Sequence, residues 1–133
     1  MPGMKLLIFS DSHGYLSLME EAVRQEMPDR IVHLGDYFRD GEELHKRFPG
    51  IPLTQVAGNC DRFTALLGLP ESGLERWQGL RFFLTHGHHQ RVKQTLLPLS
   101  LTAREQGANV ALFGHTHSPF CQMEQGVLLF NPG

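Results

Sequence analysis

A chain of 133 residues, 41% hydrophobic and 20% charged, has the size and balance of one domain with a real core. Its formal net charge of −2 argues against a nucleic-acid-coating surface, and no apolar run approaches the roughly 20 residues of a membrane span. Two cysteines in unlike contexts, Cys60 and Cys121, make no disulfide framework, and the start lacks the pattern of a secretory signal, so a reducing cytoplasm is the expected setting.

The predicted elements alternate. Residues 5–10 (KLLIFS) form a short, nearly continuous apolar run, as in a strand buried on both faces. Residues 16–27 place Leu16, Met19, Ala22 and Val23 between Glu20, Glu21 and Arg24, which predicts an amphipathic helix ended before Pro28. Residues 30–34 predict a second strand, 42–48 a helix stopped by Pro49-Gly50, and 52–57 a third strand with its proline at the start. Residues 74–77 and 80–85 flank Gln78-Gly79, a hairpin signal. Residues 91–106 carry a helical pattern that Pro98 should kink or divide. Residues 109–113 (NVALF) predict another buried strand, and 119–123 with 127–130 flank a second turn at Glu124-Gln125-Gly126. The order is βαβαβ, then hairpin, helix and terminal strands. It points to one domain over residues 1–133, a mixed α/β sandwich rather than a purely doubly wound sheet.

The chemistry lies just after the strands. Asp11-Ser12-His13-Gly14 follows the first run, Gly35-Asp36 the second and Gly58-Asn59-Cys60-Asp61 the third. His86-Gly87-His88 follows the hairpin, and Gly114-His115-Thr116-His117 follows residues 109–113. Ligand-binding crevices of open α/β sheets form at such C-terminal strand ends, so these clusters should converge in space. In an extended segment, the Asp11-x-His13 and His115-x-His117 spacings would aim both side chains of a pair the same way. Such a pair can serve two metals about 3.5–4 Å apart. Carboxylate and imidazole without thiolate suit Mn²⁺, Fe, Zn²⁺ or Ni²⁺ better than Ca²⁺, Mg²⁺ or an iron–sulfur cluster. Two divalent ions outweigh the charge of Asp11 and Asp36, leaving a positive remainder for a hydroxide and a phosphate.

Taken in order, these motifs resemble the calcineurin-like metallophosphoesterases, and more narrowly their small bacterial and archaeal phosphodiesterases, a branch that includes the retromer subunit of the vacuolar sorting complex. The resemblance covers nearly the whole chain. It implies a four-layer αββα sandwich of two mixed sheets flanked by helices, and a binuclear centre. Carried over by position, one metal takes Asp11, His13, Asp36 and His117. The other takes Asp36, Asn59, His86 and His115, with Asp36 bridging. The implied reaction is phosphodiester or phosphate-ester hydrolysis by in-line attack of a hydroxide bound to two divalent metals, Mn²⁺ preferred, without a covalent enzyme intermediate. Asp61 and His88 join Asp36 and Asn59 as candidate catalytic residues, Asp61 by orienting a ligand and His88 by facing ligand or substrate.

Two features depart from the pattern. Larger phosphatases of the superfamily carry histidine where this chain has Cys60, which favours diesters or good leaving groups over natural monoesters. Relatives also run past Asn131-Pro132-Gly133 into further strands, so a missing edge strand, a shortened chain or edge pairing with a partner copy is expected. The alternative to an enzyme is a scaffold that kept the fold to bind other proteins. A nuclease is disfavoured because no basic, aromatic-rich stripe is present.

Taken singly, the same residues have plainer readings. Asp11 alone would be a helix cap, and His115 with His117 a surface turn. Asn59 alone would be a turn residue. His33 reads as a core or hydrogen-bonded histidine, His45 as solvated, His89 as a bystander and Cys60 as a small packed residue. Arg39, Arg62 and Arg91 are as well suited to the surface as to a phosphate, and Phe82, Phe83 and Phe113 read as core.

Overall fold

The computed structural model describes residues 4–59, 61 and 70–133. In chain order the elements are β1 (Leu6–Phe9), α1 (Leu16–Glu26), β2 (Arg30–His33), α2 (Phe38–Arg47), β3 (Leu53–Gln55), β4 (Ser72–Trp77), β5 (Leu80–Thr85), α3 (Leu97–Glu105), β6 (Val110–Leu112), β7 (Phe120–Glu124) and β8 (Val127–Asn131). They build two sheets. One is parallel, in the order β1-β2-β3; the other is mixed, in the order β4-β5-β6-β8-β7. The expectations for Cys60 and for Arg62 fall outside the described residues.

Period-2 alternation explains the layers, because successive strand residues point to opposite faces. Leu6 and Ile8 of β1, Val32 of β2, Phe82 and Leu84 of β5, Val110 and Leu112 of β6, and Leu128 and Phe130 of β8 share one cluster between the sheets. Their neighbours face outward. Leu7, Phe9 and Ile31 pack with Met19 and Val23 of α1 and Leu44 of α2. Phe83, Ala111 and Leu129 pack with Leu99 and Ala103 of α3. The four layers are therefore helices, sheet, sheet, helix. Strands buried on both faces must be apolar throughout, which is why runs such as VALF and LLIF lack polar alternation. Phe82, Phe83 and Phe113 are all buried, as expected.

Three boundaries differ from the sequence reading. Helix α2 begins at Phe38 rather than Glu42 because a distant carboxylate caps it. Asp61 Oδ1 accepts the N–H of Tyr37 at 2.9 Å and of Phe38 at 2.8 Å, while Tyr37 itself makes no side-chain cap. Residues 91–106 are not one kinked helix. Pro98 stands in the first turn of α3, where a missing N–H costs nothing, and the residues before Leu96 form turns. The third strand shrinks to three residues. Both expected hairpins are present, with Gln78-Gly79 and Gln125-Gly126 each at positive φ, as a two-residue type I′ connection requires.

Candidate metal centre

Every expected donor lies on a loop leaving a strand's C-terminal end, and the loops of both sheets meet at one point. Asp11 Nα donates to Gly35 O at 2.9 Å, and Gly114 Nα donates to His86 O at 2.9 Å. Asp11 Oδ2 accepts the His115 N–H at 2.9 Å and a close hydrogen bond from the Ser10 hydroxyl. The His115–Asp11 hydrogen bond joins the first cluster to the last across 104 residues of chain. Such approach leaves no space for side chains in the turns: a Cβ on Gly114 would overlap Ser10 Oγ, and one on Gly58 would overlap Asp36.

The donors fall into two groups. Asp11, His13 and His117 form one; Asp36, His86 and His115 form the other; within each, one donor atom per residue lies within 4.8 Å of the rest. Each group draws on both sheets, with the aspartates and His13 on loops of the parallel sheet and His86, His115 and His117 on loops of the mixed one. His117 Nε2 lies 3.3 Å from Asp11 Oδ1, and His86 Nε2 lies 3.4 Å from Asp36 Oδ2. Two donors at about 2.1 Å from one tetrahedral ion sit about 3.4 Å apart, so these separations fit ligands of a shared cation. Between the groups, His86 Nε2 is 3.5 Å from Asp11 Oδ1 and His13 Nε2 is 3.9 Å from Asp36 Oδ2.

The protein atoms alone leave this cluster unsatisfied. Asp11 Oδ1, His13 Nε2 and His86 Nε2 are enclosed and lack a hydrogen-bond partner among the described residues. Three such atoms facing one another is costly unless a cation joins them. His86 is oriented for that role: its Nδ1 sits 2.9 Å from Leu34 O, where it donates and leaves Nε2 toward the carboxylates. Burial opposes charging His86, but the neighbouring carboxylates of Asp36 and Asp11 outweigh it, so its pKa is raised. Burial, His86 and Lys93 lower that of His115, which keeps its imidazole neutral and available to a metal.

The paired spacings work differently from the expectation. Asp11, His13, His115 and His117 have φ of 55°, 46°, 70° and 62°, in the left-handed region rather than in extended backbone. The Asp11-x-His13 pair therefore does not point through strand alternation; tight turns present its two side chains to one group. His115 and His117 do divide between the groups. Asp36, at φ 55°, is a fifth donor in this conformation, which non-glycine residues hold only where surroundings compel it.

The supporting residues were less visible in the sequence. Asp61 Oδ2 accepts the Gly58 N–H at 2.8 Å while its Oδ1 caps α2, so it links the loops after β2 and β3. Its partners in these hydrogen bonds are backbone N–H groups, so it ties the two loops together. Asn59 is an exposed turn residue between these two anchors. Behind the Asp11 loop lies a buried chain. His33 Nδ1 accepts the Gly35 N–H at 3.2 Å; His33 Nε2 lies 2.9 Å from Ser12 Oγ; Ser12 donates to Asp40 Oδ2 at 2.6 Å, which also accepts the Gly14 N–H at 2.8 Å. A backbone N–H can only donate, so Nε2 of His33 carries the proton. Burial lowers the His33 pKa from 6.5 to about 4 against the opposing charges of Asp40, Asp61 and Asp11. Asn131 Nδ2 supports the last loop through Gly114 O at 3.2 Å and Thr116 Oγ1 at 2.9 Å. The sequence signals were a histidine inside RIVH and an asparagine ending VLLFN, polar residues where strands should be apolar. Asp40 and Ser12 carried no signal of their own.

The remaining residues divide as follows. His88 neighbours the centre, with its ring 5.4 Å from His86 and 6.2 Å from His115. His89, read as a bystander, is paired with Glu71. His45, Arg39 and Arg91 are exposed.

Similarity to known proteins places the chain in a family. Over nearly its whole length the chain is similar to the probable metallophosphoesterase YsnB of Bacillus subtilis, 40% identical over 134 residues that cover 98% of this chain and 74% of that protein. It is 31% identical to the phosphodiesterase YfcE of Escherichia coli K12, covering 98% of this chain and 78% of that one. The crystal structure of Vps29 from Entamoeba histolytica superposes with a TM-score of 0.79 at 20% identity, covering 98% of this chain and 74% of that one, a likeness of fold alone. Residues 4–133 match the model of the calcineurin-like phosphoesterase superfamily domain. With its αββα layers and its aspartate–histidine loops in order, the chain belongs to the calcineurin-like phosphoesterase superfamily.

Proposed function

We propose that this protein is a phosphodiesterase hydrolysing a small-molecule phosphate ester or diester at a binuclear divalent-metal centre. The observation that carries the reading is the enclosed trio Asp11 Oδ1, His13 Nε2 and His86 Nε2, without hydrogen-bond partners among the described residues and drawn from two three-residue donor groups. Asp11, His13, Asp36 and His117 would hold one ion and Asp36, Asn59, His86 and His115 the other. Bound there, two divalent ions supply Lewis-acid activation of water and neutralise charge on the phosphoryl oxygens. Carboxylate–imidazole donors favour Mn²⁺, with Ni²⁺, Zn²⁺ or Fe as alternatives.

The chain's own residues do the positioning. Asp36 stands between the two groups, close to His86 and within 3.9 Å of His13, where it can serve both ions. The carbonyl of Leu34 holds His86 in one tautomer. Asp61 and the Ser12–Asp40 pair fix the backbone on which Asp36, Asp11 and His13 sit. His117 has a side chain 58% exposed and so stands open to solvent. Cys60, in the place where larger phosphatases of the superfamily carry histidine, favours diesters or good leaving groups. Among the described residues no helix is long and apolar enough to cross a membrane, and the exposed free Cys121 suits a reducing cytoplasm.

The test is hydrolysis of bis(4-nitrophenyl) phosphate with added Mn²⁺ by wild type, Asp36→Asn and His117→Ala. The wild type should turn over and both variants should fall to near background. Equal rates in all three would end the catalytic assignment. Tight metal binding without turnover would instead favour the alternative role, a metal-holding scaffold for other proteins.

A further inference from the structure

The hairpin of β4 and β5 brings a third set of donors together beside the centre. Ser72 pairs with Thr85 in the antiparallel register, so Glu71, one residue before the strand, comes opposite the loop that begins at His86. Gly87, at φ 106°, turns that loop back, and the Thr85 hydroxyl accepts the Gly87 N–H at 3.3 Å. The result aims His88 and His89 at Glu71. One donor atom from each of these three residues lies within 4.8 Å of the others. The His88 and His89 rings stand 4.2 Å apart, His89 Nε2 faces Glu71 Oε2, and His88 Nδ1 is enclosed without a hydrogen-bond partner among the described residues.

We propose that Glu71, His88 and His89 form a separate divalent-cation site of the zinc class at the rim of the main centre. Two imidazoles and one carboxylate make a borderline donor set that selects zinc-like ions over Mg²⁺ or Ca²⁺, and three protein ligands leave a position open to water or an anion. The ligand set shares no residue with the two groups described above. An ion held there brings positive charge to the His115 side of the mouth, where His88 lies 6.2 Å from that ring.

The site is tested by zinc stoichiometry of the chelator-stripped full chain, measured by calorimetric titration with Zn²⁺ alone and by elemental analysis after equilibrium dialysis. Wild type should bind one more equivalent than Glu71→Gln or His89→Ala. Both changes fall on exposed side chains, so the fold should persist, as circular dichroism would verify. The same one-equivalent difference should survive in an Asp36→Asn background, which separates this site from any failure of the main centre. Equal stoichiometry in wild type and His89→Ala would overturn the proposal. So would an equal loss in His45→Ala, an exposed histidine elsewhere, because zinc would then be following surface imidazoles in general.

Discussion

Ser12 Oγ donates to Asp40 Oδ2 at 2.6 Å, and this hydrogen bond ties the Asp11–His13 loop to the first turn of α2. Both groups are buried, and the same hydroxyl accepts the His33 Nε2–H, so its removal strands that buried donor while Asp40 Oδ2 keeps the Gly14 N–H. Ser12→Ala should cost about 1–3 kcal/mol of folding stability, the penalty for an unsatisfied buried donor. It should also lower divalent-metal affinity about 10–100-fold by releasing the loop. Urea denaturation of the chelated protein and metal titration would measure the two effects separately.

His33 makes the fold sensitive to acid. Its pKa falls from 6.5 to about 4 because it is buried, so the folded protein holds it neutral while the unfolded chain protonates it. Below about pH 6.5 the unfolded state binds the extra proton; stability therefore declines as pH falls from about 6.5 toward about 4. The contribution is on the order of 3 kcal/mol at its fullest, which is above pH 6.5. Denaturant midpoints across this window should slope less steeply in His33→Gln than in wild type.

Asp61 is predicted to act through backbone rather than through chemistry. Asp61→Ala removes the acceptor for Tyr37, Phe38 and Gly58 N–H groups and should destabilise by roughly 1–3 kcal/mol. Asp61→Asn keeps one carbonyl oxygen and should recover part of that loss. The pH–rate profile should keep its shape in Asp61→Asn, whereas removal of a proton-transferring group would change it.

Gly114→Ala tests the close packing of the first and last loops. The added methyl meets Ser10 and Asp11, so the His115 loop must shift away. Far-UV circular dichroism should remain near wild type while Mn²⁺-dependent hydrolysis falls about 100-fold, the scale of an ångström-level misplacement. A matching change at Gly79, whose Cβ would meet nothing within 4 Å, should leave the rate intact.

Much of this fold was legible because burial on both faces forces unbroken apolar runs, and VALF, LLIF and FFL are such runs. The five clusters were legible because each follows such a run. The start of α2 was not, since its cap comes from Asp61, 23 residues away from Phe38. Nor was the geometry of Asp11-Ser12-His13. Spacing alone suggests strand alternation, whereas contacts with Gly35, Asp40 and Gly114 impose left-handed turns. Ser12 and Asp40 look like ordinary polar residues until the loops are brought together. Local pattern reports what an element must bury; it is silent about which distant loop will hold it.

The two donor groups each take ligands from both sheets, and this has a mechanical consequence. Cations in these groups would act as rivets across a seam that otherwise has side-chain packing and the His115–Asp11 and His86–Leu34 hydrogen bonds. Shear between the layers would load the coordination bonds directly. Without the ions, the layers keep their relative position through those hydrogen bonds and the interlock of Val32, Leu84 and Leu112.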